Sequence, residues 1–106
     1  MTSSLLQTAE RLRNSLQTTY TERFRALHIF GSRARDGTDD ESDLDILIVL
    51  DRVDHYAAEV DRTSEIIGEL SLRYGISISR VFISEDEWLH GDSMFLQNVR
   101  EEAIPV

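Results

Sequence analysis

Cysteine is absent from the 106-residue chain, which removes disulfides, thiolate metal sites and cysteine nucleophiles together. A single proline and a hydrophobic fraction of 41% exclude a disordered tail and describe ordinary globular material. No apolar run approaches the ~20 residues needed to span a membrane. The opening Met1-Thr2-Ser3-Ser4-Leu5-Leu6 lacks the basic flank and long apolar stretch of a signal peptide. A cytoplasmic location is therefore the expectation. Positive charge is also scarce: 11 Lys plus Arg against 20 Asp plus Glu give a formal charge of −9. That balance argues against broad contact with a nucleic-acid backbone. It suits good solubility, a basic protein partner or a site that holds cations, and halophilic adaptation would produce it equally. The length fits one domain over residues 1–106, because two separate cores would each be near the lower limit of self-sufficiency.

What is present has a readable order. Leu5, Ala9, Leu12 and Leu16 form one apolar face of a helix over 3–19, with Thr2 or Ser3 placed to cap it. Phe24 to Phe30 reads as a short strand ended by Gly31. Residues 31–43 are polar and read as a loop, or a loop with one helical turn. Leu44 to Leu50 is apolar except for Asp45, and its β-branching predicts a strand buried on both faces. From Val53 the spacing of Tyr56, Ala57, Val60, Ile67, Leu70 and Tyr74 is helical, and Gly75 is placed to stop that helix. Ile76 to Ile83 is the next strand. Ser84-Glu85-Asp86-Glu87 has the form of a capping box, opening a helix with Trp88 and Leu89. Gly91 breaks it, and Met94, Phe95, Val99 and Ala103 suggest a last helix. The expected fold is α+β, or α/β: a small mixed sheet with helices packed against it.

Chemistry concentrates between the first two strands. Asp43 and Asp45 stand two apart at the mouth of the apolar strand, so both project to one face, ~6.6 Å apart along the chain. Two such carboxylates repel, and burying them without partners costs several kcal/mol. A divalent cation resolves this, and hard oxygen ligands suit Mg²⁺, which shares its shell readily with substrate phosphates. Gly31 and Ser32 follow the preceding strand directly. Glycine lets a backbone N–H approach a phosphate, the Ser32 hydroxyl can donate to it, and Arg33 and Arg35 could add guanidinium forks. Each piece has a plainer reading. Gly-Ser after a strand is commonly a turn, and Asp39-Asp40-Glu41 is read as a solvated acidic turn. The combination is sharper: Gly31, Ser32, Ser42, Asp43 and Asp45 at ~6% each meet by chance about once in 10⁴ such chains.

Gly31-Ser32-x-Ala34-Arg35, six residues, then Ser42-Asp43-x-Asp45 resembles the motif of the DNA polymerase β-like nucleotidyltransferase superfamily. Within it the chain is similar to the stand-alone minimal nucleotidyltransferases, often encoded beside a HEPN-domain protein as a toxin–antitoxin pair. The element order fits, as does the ending Phe95…Asn98-Val99-Arg100-Glu101-Glu102. The resemblance implies that Gly31 and Ser32 hold the nucleoside triphosphate and that Asp43 and Asp45 are the catalytic pair holding two Mg²⁺. Arg33, at a variable position, joins the nucleotide site in a secondary role. It further implies transfer of AMP from ATP to a hydroxyl, here a tyrosine of a HEPN-type toxin partner.

The chain departs from that pattern twice. The family commonly has glycine directly after the Ala-Arg pair, where this chain has Asp36, with Gly37 next. Active members also carry a third carboxylate on a later strand, which can help deprotonate the acceptor. The matching segment, Ile76 to Ile83, contains no acid, and Ser77 or Ser79 takes that place. Glu85 and Asp86 follow it, but they favour a helix N-terminus. The departure motivates a second reading, a nucleotidyltransferase fold that neutralises its partner by contact without turnover. A third, a transferase acting on nucleic acid, conflicts with the charge of −9. His28 reads as a surface or interfacial histidine, His55 and His90 lack a partner at metal-ligand spacing, and Ser32 lacks a triad. Trp88, Tyr56 and Tyr74 read as core or interface. A homo-oligomer is compatible with all of this.

Overall fold

A computed structural model describes residues 3–31 and 43–106. Helix α1 spans Ser3–Tyr20 and runs through a 3₁₀ turn, Thr21–Arg23, into strand β1, Phe24–Phe30. Strand β2 is Asp43–Leu50, followed by helix α2, Tyr56–Tyr74, and strand β3, Ser77–Ser84. Two short helices, α3 (Glu85–His90) and α4 (Met94–Glu102), precede a two-residue strand β4, Ile104–Pro105. The sheet order is β3-β2-β1-β4. β1 pairs antiparallel with β2 and β4, while β2 and β3 are parallel. A parallel pair needs a crossover, and α2 supplies it.

The sequence periods explain the layers. Leu5, Ala9, Leu12 and Leu16 all face inward, as the helical spacing predicts. With Ile67 and Leu70 of α2 they cover Leu27, Ile29, Leu44, Ile46, Ile48, Leu50, Ile78 and Phe82 on one side of the sheet. Leu47, Val49 and Ile83 point to the other side, where Leu96 and Val99 of α4 and Trp88 of α3 cover them. β2 is thus buried on both faces, with Ile46 through Leu50 at 1% exposure or less. Each such side chain contributes about 2 kcal/mol by leaving water.

The ends follow local chemistry. Gly75 closes α2 in the left-handed region at φ 64°, donating its N–H to the Ser71 carbonyl. The Ser84 hydroxyl accepts from the Glu87 N–H at 3.2 Å, as the capping box predicts. α2 begins at Tyr56, not at Val53. The backbone between β2 and α2 bonds across the fold: the Asp51 N–H donates to the Arg23 carbonyl, and the Arg23 guanidinium donates to the Arg52 carbonyl. The side chains of Thr2 and Ser3, expected to cap α1, lie outside the described residues. No described helix is long and apolar enough to cross a membrane.

Candidate active site

The two aspartates stand where period-two geometry puts them. Leu44 between them is fully buried on the α1–α2 side, so Asp43 and Asp45 project to the opposite face, in line with Leu47 and Val49. That face is covered by α3 and α4 under Leu47 and Val49. Toward the head of β2 it opens: Asp43 is exposed and Asp45 half-buried. Phe30, the last residue of β1, pairs with Asp45. Its ring meets Phe95 of α4 edge-on at 5.8 Å, giving the open end an aromatic wall.

Gly31 leaves β1 at φ 81°, a conformation that side chains rarely adopt. A β-carbon built there would lie 2.6 Å from Oδ2 of Asp45. The glycine turn and the second aspartate therefore share one packed spot, although 14 positions separate them in the chain (45 − 31). Asp43 and Asp45 fit a hard divalent cation: two carboxylates two positions apart on one strand, projecting to one face. No group of three or more His, Asp or Glu ligands forms among the described residues. Ser32 and Arg33, expected to bind the nucleotide, lie outside the described residues.

β3 places no acid beside the two aspartates. In the parallel register Ser77 stands beside Asp43 and Ser79 beside Asp45, both exposed on the same face. Hydroxyls thus occupy both register positions next to the aspartates. Glu85 and Asp86 open α3 beyond the far end of β3. Six residues of strand separate Glu85 from Ser79, roughly 20 Å, and the Glu85 carboxylate faces Arg25 at 4.0 Å.

A second polar cluster, which the periodicity does not reveal, lies at the other end of the sheet. Glu59 of α2 is 4% exposed. It accepts from the Tyr20 hydroxyl at 2.8 Å, from Arg23 at 3.1 Å and from Arg62 at 3.1 Å. Burial pushes its carboxyl up, but these three donors outweigh burial and hold it below the usual range. Burial, then the bond to Glu59, push the Tyr20 phenol up. Burial also acts upward on Asp51, but the Arg23 side chain and the Arg52 N–H leave it lowered. Arg23, Asp51, Arg52, His55, Glu59 and Arg62 border a hollow of about 260 Å³. A larger groove of about 470 Å³ runs between α1 and α2, past Asn14, Thr18, Glu65 and Glu69. Neither hollow is lined by Asp43 or Asp45.

The aromatic and histidine expectations divide. His28 sits on the α3–α4 side with its ring 4.6 Å from Trp88. Both its nitrogens are buried without a hydrogen-bond partner among the described residues. Burial lowers its pKa. Tyr56 is 47% exposed, yet it stacks edge-on against Phe82 and accepts the Phe82 N–H at 3.2 Å.

Residues 9–104 match the family described as Nucleotidyltransferase domain. A Methanocaldococcus jannaschii protein named as a protein adenylyltransferase is 36% identical over 73 residues, covering 69% of this chain and 67% of that protein. Among solved structures, the chain is similar to one from a toxin–antitoxin crystallised with AMP-PNP, with TM-score 0.58 and 16% identity over 91% of this chain and 70% of that one. It is also similar to one from a mutant form of the MntA–HpeT toxin–antitoxin, with TM-score 0.53 and 19% identity over 92% and 69%. At those identities the structures speak to the fold, which they share with this chain.

Proposed function

The chain belongs to the nucleotidyltransferase domain family, and on that premise we propose that it transfers AMP from ATP to a protein hydroxyl, a tyrosine of a HEPN-type toxin, and so acts as an antitoxin. The observation that carries this reading is the Asp43–Asp45 pair on one open sheet face with the Gly31 turn packed against it. The name of the Methanocaldococcus jannaschii relative supports adenylyl transfer to protein. The toxin–antitoxin neighbours, one crystallised with AMP-PNP, support the nucleotide and the partner class.

Asp43 and Asp45 would hold Mg²⁺ in this scheme. The ion supplies charge neutralisation at the phosphates and orients the reacting oxygens. Gly31 and Ser32 seat the triphosphate, and Arg33 adds a guanidinium at its edge. The acceptor oxygen forms a bond to the α-phosphorus in line with the bond that breaks. The electron pair of that bond leaves on pyrophosphate, and the hydroxyl proton passes to solvent. The protein's own contribution is positioning and charge, the usual division in phosphoryl chemistry. No carboxylate stands in register on β3 to take the proton, and in this scheme water receives it.

The test is transfer of label from α-labelled ATP to a HEPN-type toxin in the presence of magnesium. Asp43→Asn is expected to lower it at least ~1,000-fold, about 4 kcal/mol of barrier. Labelling at the parent rate removes the assigned site. A second reading rests on Ser77 and Ser79 beside the aspartates: the domain blocks its toxin by contact alone. It requires that an Asp43→Ala/Asp45→Ala variant still neutralise the toxin while mass spectrometry finds no AMP adduct. An adduct on a toxin tyrosine rules this out.

A further inference from the structure

We infer that Gly31 is a positioning residue for Asp45: its missing β-carbon is the space the Asp45 carboxylate occupies, so the glycine ending β1 sets the ligand geometry of β2. An added β-carbon would meet Oδ2 of Asp45 at 2.6 Å, Cγ at 3.4 Å and Cβ at 3.5 Å. The first distance is shorter than non-bonded carbon and oxygen tolerate, so something must move.

The Asp45 backbone is not free to do so. It is paired with Phe30 on one side and Ser79 on the other. Leu44 and Ile46 flank it at 0% exposure, locked into the apolar layer. Shifting them would disturb a close-packed core. The side chain is the element that gives, and rotation about χ1 swings the carboxylate away from its position beside Asp43. Metal sites tolerate misplacement of only about 0.5 Å before they weaken.

This deepens the proposed function, resting in part on the reading of Asp43 and Asp45 as metal ligands. It also separates two roles for one residue. A glycine that only seats phosphate matters when nucleotide is present. A glycine that makes room for Asp45 matters to a metal ion alone.

Gly31→Asn is the informative change, because asparagine tolerates positive φ better than most residues but still carries a β-carbon. Gly68→Asn is the control, since nothing lies within 4 Å of a β-carbon there. A circular dichroism spectrum matching the parent confirms folding, with the smaller Gly31→Ala as the alternative variant. Two readouts decide. In the variant's crystal structure without metal, the Asp45 carboxylate is expected to have moved to another χ1 well. In Mn²⁺ titration followed by electron paramagnetic resonance without nucleotide, affinity is expected to fall at least ~10-fold for Gly31→Asn and to hold for Gly68→Asn. An unmoved carboxylate, or parent-like Mn²⁺ affinity, overturns the inference and leaves the proposed function standing. Failure of the parent to bind Mn²⁺ removes the metal reading instead, and the position of Asp45 in the variant still decides the role of Gly31.

Discussion

Asp45 is the residue at which local sequence and global fold disagree most openly. It interrupts the apolar run of β2, and a strand buried on both faces excludes charge unless the charge is paired or holds a cation. Glu59 is the counterexample. It is more deeply buried than Asp45, but its partners Tyr20 and Arg23 stand 39 and 36 positions away in sequence. Glu59→Ala removes the acceptor shared by three donors and is expected to cost about 2 kcal/mol in urea unfolding. Transfer activity should persist, because the strand between Leu50 and Asp45 puts the cluster roughly 17 Å from the site. His28 gives a pH dependence. Its pKa is lowered by burial, so below the ordinary value of about 6.5 the unfolded chain binds a proton that the folded chain refuses. Stability from this group is whole above that pH and declines as pH falls. His28→Phe keeps a ring against Trp88 and is expected to flatten the slope of stability between pH 7 and 5, read by denaturant midpoints.

Registers between elements fix what single residues cannot. Periodicity alone puts Asp43 and Asp45 on one face. It does not place Ser79 beside Asp45, which follows from the parallel pairing of β2 with β3. That pairing gives a gain-of-function prediction. Ser79→Asp sets a third carboxylate in register on an exposed position, and Mn²⁺ affinity is expected to rise about 10-fold, or about 1.4 kcal/mol. Isothermal titration checks it, and unchanged affinity means the face of β3 does not contribute to the ion site. β4 shows the same limit. Ile104–Pro105 has no strand pattern of its own, and it forms because β1 offers an edge: the Val106 N–H donates to the Leu27 carbonyl, and Arg13 donates to the Val106 carbonyl. Proline fits there because an edge strand need not donate from every residue.

At the scale of the whole molecule, the charge of −9 opposes compaction through self-repulsion. Among the described ion pairs, Arg52 with Asp54 and Arg73 with Glu69 are exposed and contribute little. Screening the net repulsion should therefore outweigh screening these pairs. Raising sodium chloride from 10 mM to 300 mM is expected to raise Tm by a few degrees in calorimetry, and a fall would show that the exposed pairs dominate. The same surplus of acid suits a partner with a basic surface, in keeping with the proposed toxin complex.

The order of helices and strands up to the last helix was determined by sequence alone, because apolar spacing at 3.6 and at 2 residues is a local property that each segment carries with it, whereas β4 carries no such pattern. The Asp43–Asp45 pair and the Gly31 turn were legible for a similar reason: unusual residue types at the ends of strong strands. Only the tertiary structure decided that Gly31 touches Asp45, that Ser79 stands beside it, and that Glu59 has three donors. Each of those depends on how separate segments pair in space. Such contacts depend on the fold as a whole, and a one-residue slip in strand register would reassign every neighbour without altering any local pattern.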